Sequence, residues 1–576
     1  MLNTIFLLPF LAFSSVLAKN NLPSDTTPAP PPLQCDGAEF KSPVVTGAKI
    51  VSITAEQKFN YTSFGGGPLL PSVQGLSFCL VKVTLNHPGT DDNVTTEIWL
   101  PLTRESWNGR FQATSGGGFA TGLFGLFLGP AIRDGYAASS TDGGHSAGFL
   151  DTDWLLVHDA EKNAYSVNWN LLHNFATRSL SDQVYIGKSI TEQYFKEKPH
   201  HSYWNGCSQG GRQGYMMAQK YPGLLDGILA AAPGIGLQGL AMADFWPQLL
   251  MIESQTFMSN CEFDWFGQKA IDKCDMIDGV SDGVITDPTL CDFDPNTLVG
   301  QKFQCDEKDV EVTQIMADIV RKIQEGPKTP SGTPIWPGLP YGTSMRGVAD
   351  IAISPEGVRS PKPFGYSLAH IQKLLLRNPT FNISTLTYET YVALWAQSAQ
   401  EYSWLLDAES PDLTGLRDAG TKLLSWHGIN DQLVSYEKTI QYRQRVEMEM
   451  GGAKVVDEYY RLFLAPGVMH CGFGSGPTPN RALKQLEDWV ENGEVPETLD
   501  SQTKNADGEL VSRDLCRWPR KLKYMGLGDA KRASSWSCEG EEDFEDMAGE
   551  DTGKKVKFLG GLKERLMGLG LGLRIQ

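Results

Sequence analysis

The stretch that decides the fold reads Gly206-Cys207-Ser208-Gln209-Gly210. It has the form Gly-x-Ser-x-Gly, in which the serine lies on a strained turn between a strand and a helix and the glycines leave room where neighbouring Cβ atoms would clash. In a chain of 576 residues with 60 glycines, chance alone gives about half a match, so the motif is weak by itself. Its surroundings strengthen it, because residues 201–205 read as a strand and residues 212–221 as a helix. Ser208 is therefore a candidate nucleophile, and an ordinary serine in a glycine-rich turn is the alternative.

Strand-like and helix-like runs alternate on both sides of this motif, which predicts an α/β fold with a parallel sheet. The pattern breaks between residues 236 and 410, where Asp-Gly turns, prolines and cysteines accumulate. We interpret residues 19–235 and 411–540 as one α/β domain and residues 236–410 as a lid domain inserted into it. The predicted strands are 135–140, 201–205, 227–232, 422–426 and 459–464, and the predicted helices are 181–196, 212–221, 436–446 and 482–492.

A nucleophilic serine needs a base to accept its proton and an acid to orient that base. In α/β folds that carry Gly-x-Ser-x-Gly, the acid follows the serine in the chain and the histidine comes last. Asp431 lies on a predicted strand-to-helix loop where this acid belongs, although it could instead cap the following helix. His470 is the last of nine histidines and follows a predicted strand by a short loop, so it is the candidate base. His427 is its rival, and we expect it to support the Asp431 loop.

Two backbone N–H groups are expected to stabilise the oxyanion that forms when a serine attacks a carbonyl carbon. The residue after the nucleophile, Gln209, supplies one of them in this fold. The run Ser115-Gly116-Gly117-Gly118 ends an earlier strand-like segment. Gly117 is the candidate for the second donor.

Two cysteines stand directly beside the candidate catalytic residues. Cys207 precedes Ser208 and Cys471 follows His470, so the two cysteines are forced close enough to bond if the serine turn and the histidine loop meet. With this pattern the sequence resembles the tannase/feruloyl esterase family, in which Cys-Ser is followed by Asp and then by His-Cys. The resemblance extends over about residues 35–538. It includes Trp107-Asn108-Gly109-Arg110-Phe111, Gly135-Tyr136, Asp142, His145 and Gly211-Arg212-Gln213-Gly214.

The resemblance implies an α/β-hydrolase fold with a lid and the hydrolysis of esters of aromatic acids by Ser208, His470 and Asp431. It also implies disulfide bonds. Three bridges carry over from the family: Cys207–Cys471, the N-terminal Cys35–Cys79 and the C-terminal Cys516–Cys538. A fourth, Cys274–Cys291, would staple a lid loop. The fifth, Cys261–Cys305, remains by elimination and departs from the family's usual lid pair.

An acidic segment of the expected lid, residues 274–284, reads Cys-Asp-Met-Ile-Asp-Gly-Val-Ser-Asp-Gly-Val. Its three carboxylates recur at intervals of three and four, and hard oxygen ligands in a tight loop suit Ca²⁺, although a solvated acidic turn is the alternative. The segment resembles the calcium site in the lid of the family. By that resemblance the ligands are the side chains of Asp275, Asp278 and Asp282 and the backbone carbonyls of Val280 and Val284.

The two ends of the chain differ from the rest. Residues 1–18 read as a signal peptide, because their apolar run is too short to span a bilayer and small residues precede the cleavage point. Glycosylation sequons begin at Asn60, Asn93 and Asn382, and an oxidising destination makes disulfides the default state of the ten cysteines. Residues 541–576 are expected to be a disordered tail, with a weak amphipathic helix as the alternative.

The formal net charge of −18 argues against nucleic acid and anionic membranes as partners. The sequence therefore predicts a secreted, glycosylated serine esterase with a structural Ca²⁺ ion and no stable membrane insertion. The expected substrates are feruloyl or related hydroxycinnamoyl esters of plant cell walls, free or attached to polysaccharide or polyphenol, and galloyl esters (tannase activity) come second. A non-catalytic protein that binds aromatic ligands and a serine peptidase remain as alternatives of other classes.

Overall fold

The computed structural model describes residues 33–67 and 70–540. The predicted signal peptide, residues 1–18, and the predicted tail, residues 541–576, lie outside the described residues. Within the described ranges, none of the helices is both long enough and apolar enough to cross a membrane.

A nine-stranded sheet forms the centre of the molecule. Its hydrogen-bonded neighbours follow the order β1-β2-β3-β5-β4-β6-β7-β8-β9. The first three pairs in this order, β1-β2, β2-β3 and β3-β5, are antiparallel. The remaining five pairs, from β5-β4 to β8-β9, are parallel. The strands are β1 (Lys49–Ser63), β2 (Val73–Asn86), β3 (Val94–Pro101), β4 (Arg110–Thr114), β5 (Ala137–Thr141), β6 (His201–Cys207), β7 (Gly227–Ala231), β8 (Lys422–Gly428) and β9 (Tyr460–Ala465).

Helices follow most of the parallel strands and cover the sheet, and further helices fill the expected lid. The longer helices are Gly125–Arg133, Ser179–Phe195, Gln209–Lys220, Trp246–Ser254, Asn260–Cys274, Gln314–Glu325, Tyr388–Leu406, Tyr436–Met450 and Ala482–Asn492. The shorter ones are Trp169–His173, Leu237–Ala243, Gly365–Ala369, Thr414–Asp418 and Ala453–Asp457.

Short antiparallel ribbons lie outside the central sheet. Three precede the strand β8 and two follow the strand β9, and none of them is predicted from the sequence. They pair Leu156–Asp159 with Ala164–Val167, Lys302–Cys305 with Lys308–Glu311, Ile351–Ile353 with Arg359–Pro361, Thr498–Lys504 with Leu510–Cys516, and Lys521–Tyr524 with Trp536–Glu539. The strand Thr498–Lys504 also pairs on its other side with the two-residue strand Thr478–Pro479.

The sheet is buried on both faces. Tyr203 and Trp204 are neighbours on β6 but belong to different hydrophobic clusters, because successive side chains of a strand point to opposite faces. A third cluster is built mostly from residues between 237 and 406, which contribute no strand to the central sheet in the described chain. The division into an α/β domain and an inserted lid domain stays an interpretation.

The predicted strands and helices are present, with small shifts at their ends. The helix Tyr436–Met450 ends four residues later than predicted, and the helix after the serine begins at Gln209 rather than at residue 212. Gly210 and Gly211 weaken the helical pattern in the sequence. In the structure a Cβ atom on Gly211 would lie 2.4 Å from the Ala231 carbonyl oxygen, so the first turn of this helix needs glycine to approach β7.

Candidate active site

Ser208 lies on the turn between β6 and the helix Gln209–Lys220, with φ 65° and ψ −125°. Residues other than glycine rarely adopt a positive φ, and such strain concentrates at functional sites. The Ser208 N–H donates to the Ala231 carbonyl oxygen of the neighbouring strand at 3.0 Å, which holds the turn. A Cβ atom on Gly206 would lie 2.5 Å from Ser115 Oγ, and one on Gly210 would lie 2.1 Å from the same atom. Both glycines of the motif are therefore required by a close approach of the Ser115 loop.

His470 and Asp431 are hydrogen-bonded, with 2.8 Å between His470 Nδ1 and Asp431 Oδ2. The second carboxylate oxygen of Asp431 accepts the N–H groups of Leu433 and Val434, each at 2.9 Å. Burial by itself would raise the pKa of Asp431, but the charge of His470 and hydrogen bonds from His427 and His470 hold it below its usual range. Asp431 is thus an ionised, fixed acceptor for the imidazole.

His427 is fully buried behind this pair. Its Nδ1 lies 2.9 Å from Thr439 Oγ1, and its Nε2 lies 2.9 Å from the Val434 carbonyl oxygen and 3.3 Å from Asp431 Oδ2. These contacts tie the Asp431 loop to the helix Tyr436–Met450. The structure therefore gives His427 the supporting position that we expected.

Ser208 and His470 line the same cavity, which has a volume of about 360 Å³. Most of its lining is apolar, and the polar side chains among the lining residues are those of Asn205, Ser208, His470 and Asn480. None of the lining residues falls between 236 and 410. This cavity is formed by residues that precede and follow the inserted segment.

Two partly exposed phenylalanines are part of the cavity wall and were missed by the sequence analysis. Phe149 and Phe473 are 43% and 49% exposed. A Cβ atom on Gly117 would lie 2.8 Å from the Phe149 ring, and one on Gly67 would lie 2.9 Å from the Phe473 ring. Each ring therefore packs over a glycine. The position of Phe473, two residues after Cys471, is the signal that could have found it.

Five disulfide bonds connect the ten cysteines, in the pairs expected from the sequence. The Cys207–Cys471 bridge joins the serine turn to the histidine loop, with 6.0 Å between the two Cα atoms. The bond spans 264 residues of sequence. It fixes Ser208 and His470 relative to each other at the cavity.

The two expected oxyanion donors differ in their surroundings. Gln209 is the first residue of its helix, where backbone N–H groups lack intrahelical acceptors and the helix dipole favours negative charge. The Gly117 N–H, in contrast, donates to the Ala120 carbonyl oxygen at 3.2 Å. The sequence did not reveal this tight turn. Gly117 stays a prediction that requires the bound substrate to share or replace that hydrogen bond.

The acidic loop expected to bind calcium is held mainly by Asp275. Its Oδ1 accepts the N–H groups of Gly283 and Val284 at 3.0 and 3.1 Å, and its Oδ2 accepts the Ser281 hydroxyl at 3.0 Å. Asp282 Oδ2 accepts Arg513 Nη2 at 3.0 Å. The carboxylate of Asp275 therefore holds the loop in its folded conformation.

Burial, with the charge of Asp275 added to it, raises the pKa of Asp278 above its usual value. Burial and the charges of Asp278 and Asp275 also raise the pKa of Asp282, although Arg513 opposes them. The carboxylate oxygens of these three described residues, Asp275, Asp278 and Asp282, do not all lie within 4.8 Å of one another. Carboxylate oxygens are the ligand type that a hard cation prefers. The three carboxylates also repel one another, and Arg513 is the single positive charge that offsets this repulsion.

A family model described as "Tannase and feruloyl esterase" matches residues 80–539. The chain belongs to this family. It is 42% identical over 509 residues to a protein of Arthroderma benhamiae named "Probable feruloyl esterase", an alignment that covers 87% of this chain and 93% of the relative. The esterase is thus a carboxylic ester hydrolase of the class that acts on esters of aromatic acids.

Two solved structures are similar to that of the esterase. Tannin acyl hydrolase from Aspergillus niger superposes with a TM-score of 0.79 at 25% identity and covers 90% of this chain and 97% of its own. Feruloyl esterase B from Aspergillus oryzae superposes with a TM-score of 0.72 at 22% identity, over 87% of this chain and 98% of its own, which shows the shared fold. The predicted α/β-hydrolase fold is confirmed.

Proposed function

We propose that the esterase cleaves its substrate by a Ser208–His470–Asp431 triad. Ser208 attacks the ester carbonyl carbon while His470 accepts the hydroxyl proton, and His470 then gives that proton to the leaving alcohol. Water hydrolyses the resulting acyl-enzyme by the same steps in reverse order. The observation that supports this most strongly is that Ser208 and His470 line one cavity while Asp431 is bonded to the far side of the same imidazole.

The backbone N–H of Gln209 is the first donor to the oxyanion in this proposal, and that of Gly117 is the second. Such donors act on the charge that develops in the tetrahedral intermediate, and removing one typically slows an enzyme by about a hundredfold or more. Gly117 would exchange its bond to Ala120 for a bond to the oxyanion.

The substrates that we propose are feruloyl and related hydroxycinnamoyl esters. Such acyl groups carry an aromatic ring and an unsaturated linker, which suit a cavity walled by Phe127, Phe149 and Phe473. A galloyl group carries three adjacent hydroxyls, which need more polar partners than Asn205 and Asn480 offer, because a buried hydroxyl without a partner is destabilising. Galloyl esters are therefore the second candidate.

A panel of four esters tests this assignment: methyl ferulate, methyl caffeate, methyl gallate and an aliphatic methyl ester. We expect kcat/KM to be highest for methyl ferulate or methyl caffeate and lowest for the aliphatic ester. A preference for methyl gallate would reassign the acyl group, and a preference for the aliphatic ester would remove the role given to the phenylalanines. The matching anilide of ferulic acid separates an esterase from a peptidase.

Secretion, glycosylation and calcium binding belong to the same proposal. The five disulfides fit an oxidising compartment, and residues 1–18 would direct the chain there. Asn60, Asn93 and Asn382 are all exposed, as glycosylation requires. Ca²⁺, if bound by Asp275, Asp278 and Asp282 with the carbonyls of Val280 and Val284, would neutralise the acidic loop and serve the fold rather than the reaction.

A further inference from the structure

Two tryptophans of the esterase are exposed, and their rings lie near each other. All 14 tryptophans fall within the described residues, and Trp169 and Trp404 alone are exposed, by 43% and 62% of their surface. Their ring centroids are 6.4 Å apart and their planes differ by 27°. Large aromatic side chains left in contact with water as a pair mark a binding surface more often than chance exposure.

Both indoles are held by rigid parts of the fold. Trp169 begins the helix Trp169–His173 and stacks on Tyr402, with 5.5 Å between ring centroids and 18° between planes. Tyr402 is buried and donates its hydroxyl to the Leu374 carbonyl oxygen at 2.8 Å. The Trp404 indole N–H donates to the Glu401 carbonyl oxygen at 3.0 Å. The two indoles are therefore held in a fixed arrangement, which lowers the entropy lost on binding.

Polar side chains surround the two indoles in an open depression of about 750 Å³. Asn170 Oδ1 accepts Arg178 Nη2 at 2.8 Å, while the buried Asn170 Nδ2 has no hydrogen-bond partner. The carboxylate of Glu401 accepts Arg377 Nη2 at 2.6 Å and Gln397 Nε2 at 2.9 Å. The depression thus combines apolar ring faces with fixed donors and acceptors.

A sugar ring has the matching chemistry. One face of a pyranose ring is made of C–H groups, which pack on an indole, and its rim of hydroxyls both donates and accepts hydrogen bonds. An acyl chain or a lipid surface would leave Asn170 Nδ2 without a hydrogen-bond acceptor, because it offers no polar atom to the rim of the depression. The depression shares none of its lining residues with the cavity that holds Ser208, so a ligand bound there leaves the candidate active site free.

We propose that the Trp169–Trp404 face is a glycan-binding platform that holds the polysaccharide to which the aromatic ester is attached. This inference rests on the proposed function, since it assigns the carrier of the same substrate. The platform raises the local concentration of ester at the catalytic cavity by keeping the polymer bound between turnovers.

The test uses the full-length protein with Ser208→Ala as background and native gels that contain arabinoxylan freed of its esters by mild alkali. We expect the polymer to retard the Ser208→Ala protein, and Trp169→Ala with Trp404→Ala to abolish the retardation. Phe59→Ala, which removes an exposed aromatic ring on β1 (64% exposed), should leave it unchanged. Trp404→Ala alone leaves the stack of Trp169 on Tyr402 intact and should weaken the retardation. This single variant decides the test if the double variant fails to fold.

A second arm uses the same Trp substitutions with Ser208 intact. Release of ferulate from feruloylated arabinoxylan should fall about five- to tenfold, while kcat/KM for methyl ferulate stays within about twofold of wild type. Any of three results would overturn the platform. The first is no retardation by arabinoxylan, and the second is an equal loss of activity on feruloylated arabinoxylan and on methyl ferulate. The third is a wild-type molecular mass of twice the monomer that the Trp substitutions reduce to the monomer mass. If the polymer retards the Ser208→Ala protein but the wild-type protein does not cleave methyl ferulate, the platform stands and the proposed function is rejected.

Discussion

Cys207 and Cys471 are bonded to each other with their Cα atoms 6.0 Å apart, although 264 residues separate them in the sequence. Each cysteine is the chain neighbour of a residue that lines the candidate active-site cavity, Ser208 in one case and His470 in the other. The bridge therefore acts on two levels. It restricts the unfolded chain, and in the folded protein it sets the spacing of Ser208 and His470, between which a proton passes in the proposed mechanism.

Removing this bridge should slow the reaction in molecules that remain folded. The Cys207→Ala, Cys471→Ala variant is expected to lose at least about tenfold in kcat/KM, because a displacement of about 1 Å at a reacting atom can reduce the rate a hundredfold. Its unfolding free energy should fall as well, by up to about 5 kcal/mol in the chain-entropy model for so long a loop. Initial rates on methyl ferulate, measured at a temperature where circular dichroism shows native structure, check this.

A second bridge of the same protein is the matched control. Cys516 and Cys538 are bonded over 22 residues and are absent from the cavity lining. Replacing both by alanine should lower the melting temperature and leave kcat/KM near the wild-type value. If the two double variants lose the same fraction of their activity, the bridge beside Ser208 has no special part in catalysis.

Asp431→Asn should retain the fold and lose most of the activity. An amide in place of the carboxylate favours the wrong tautomer of His470 and cannot stabilise the imidazolium, and in serine proteases this change reduces kcat by about 10⁴-fold. Asp244 provides the control, because burial and the charge of Asp431 raise its pKa well above the usual range. Replacing it by asparagine removes a charge that burial and Asp431 already disfavour, so Asp244→Asn should stay active. Comparable losses in the two variants would mean that position 431 has a structural role only.

The same carboxylate should make the stability of the protein depend on acid pH. The pKa of Asp431 is lower in the folded protein than the value of about 3.9 for an unfolded chain, so the folded state binds fewer protons. Its contribution is fully present above about pH 4 and is lost as pH falls towards the folded-state pKa. Urea unfolding at pH 6 and pH 3 should therefore show the gap between wild type and Asp431→Asn becoming smaller in acid. A constant gap would contradict the low pKa.

Much of the site could be predicted from the sequence because its signals are local. The strand, the glycines and the helix around Ser208 are contiguous, and the cysteines beside Ser208 and His470 report a long-range contact through chain neighbours. In the cavity wall, Phe473 carried a local signal through its place two residues after Cys471, whereas Phe149 gave none, because only the fold brings it to the cavity. The bond between the Gly117 N–H and Ala120 depends on a turn geometry that Gly-Gly-Gly leaves open, because glycine adopts many backbone conformations.

Calcium should stabilise the protein more than it accelerates the reaction. A ligand that binds only the folded state adds RT ln(1 + [L]/Kd), about 2.7 kcal/mol at a hundredfold excess over Kd. EDTA is expected to lower the melting temperature of metal-loaded protein while the initial rate changes less, and Asp278→Asn should lower it in the same way. Asp264→Asn, which removes an exposed carboxylate paired with Arg346, should keep the full response to EDTA. An unchanged melting temperature on chelation would exclude the site.

The most direct test of the catalytic proposal is the hydrolysis of methyl ferulate by Ser208→Ala. The substitution removes one oxygen atom from a turn that Gly206, Gly210 and the Ala231 carbonyl already hold, so the melting temperature should stay close to that of wild type. We predict that kcat falls by at least about 10⁴-fold, since the residual rate then comes from binding and the oxyanion donors alone. Wild-type turnover by the folded Ser208→Ala protein would contradict the serine mechanism.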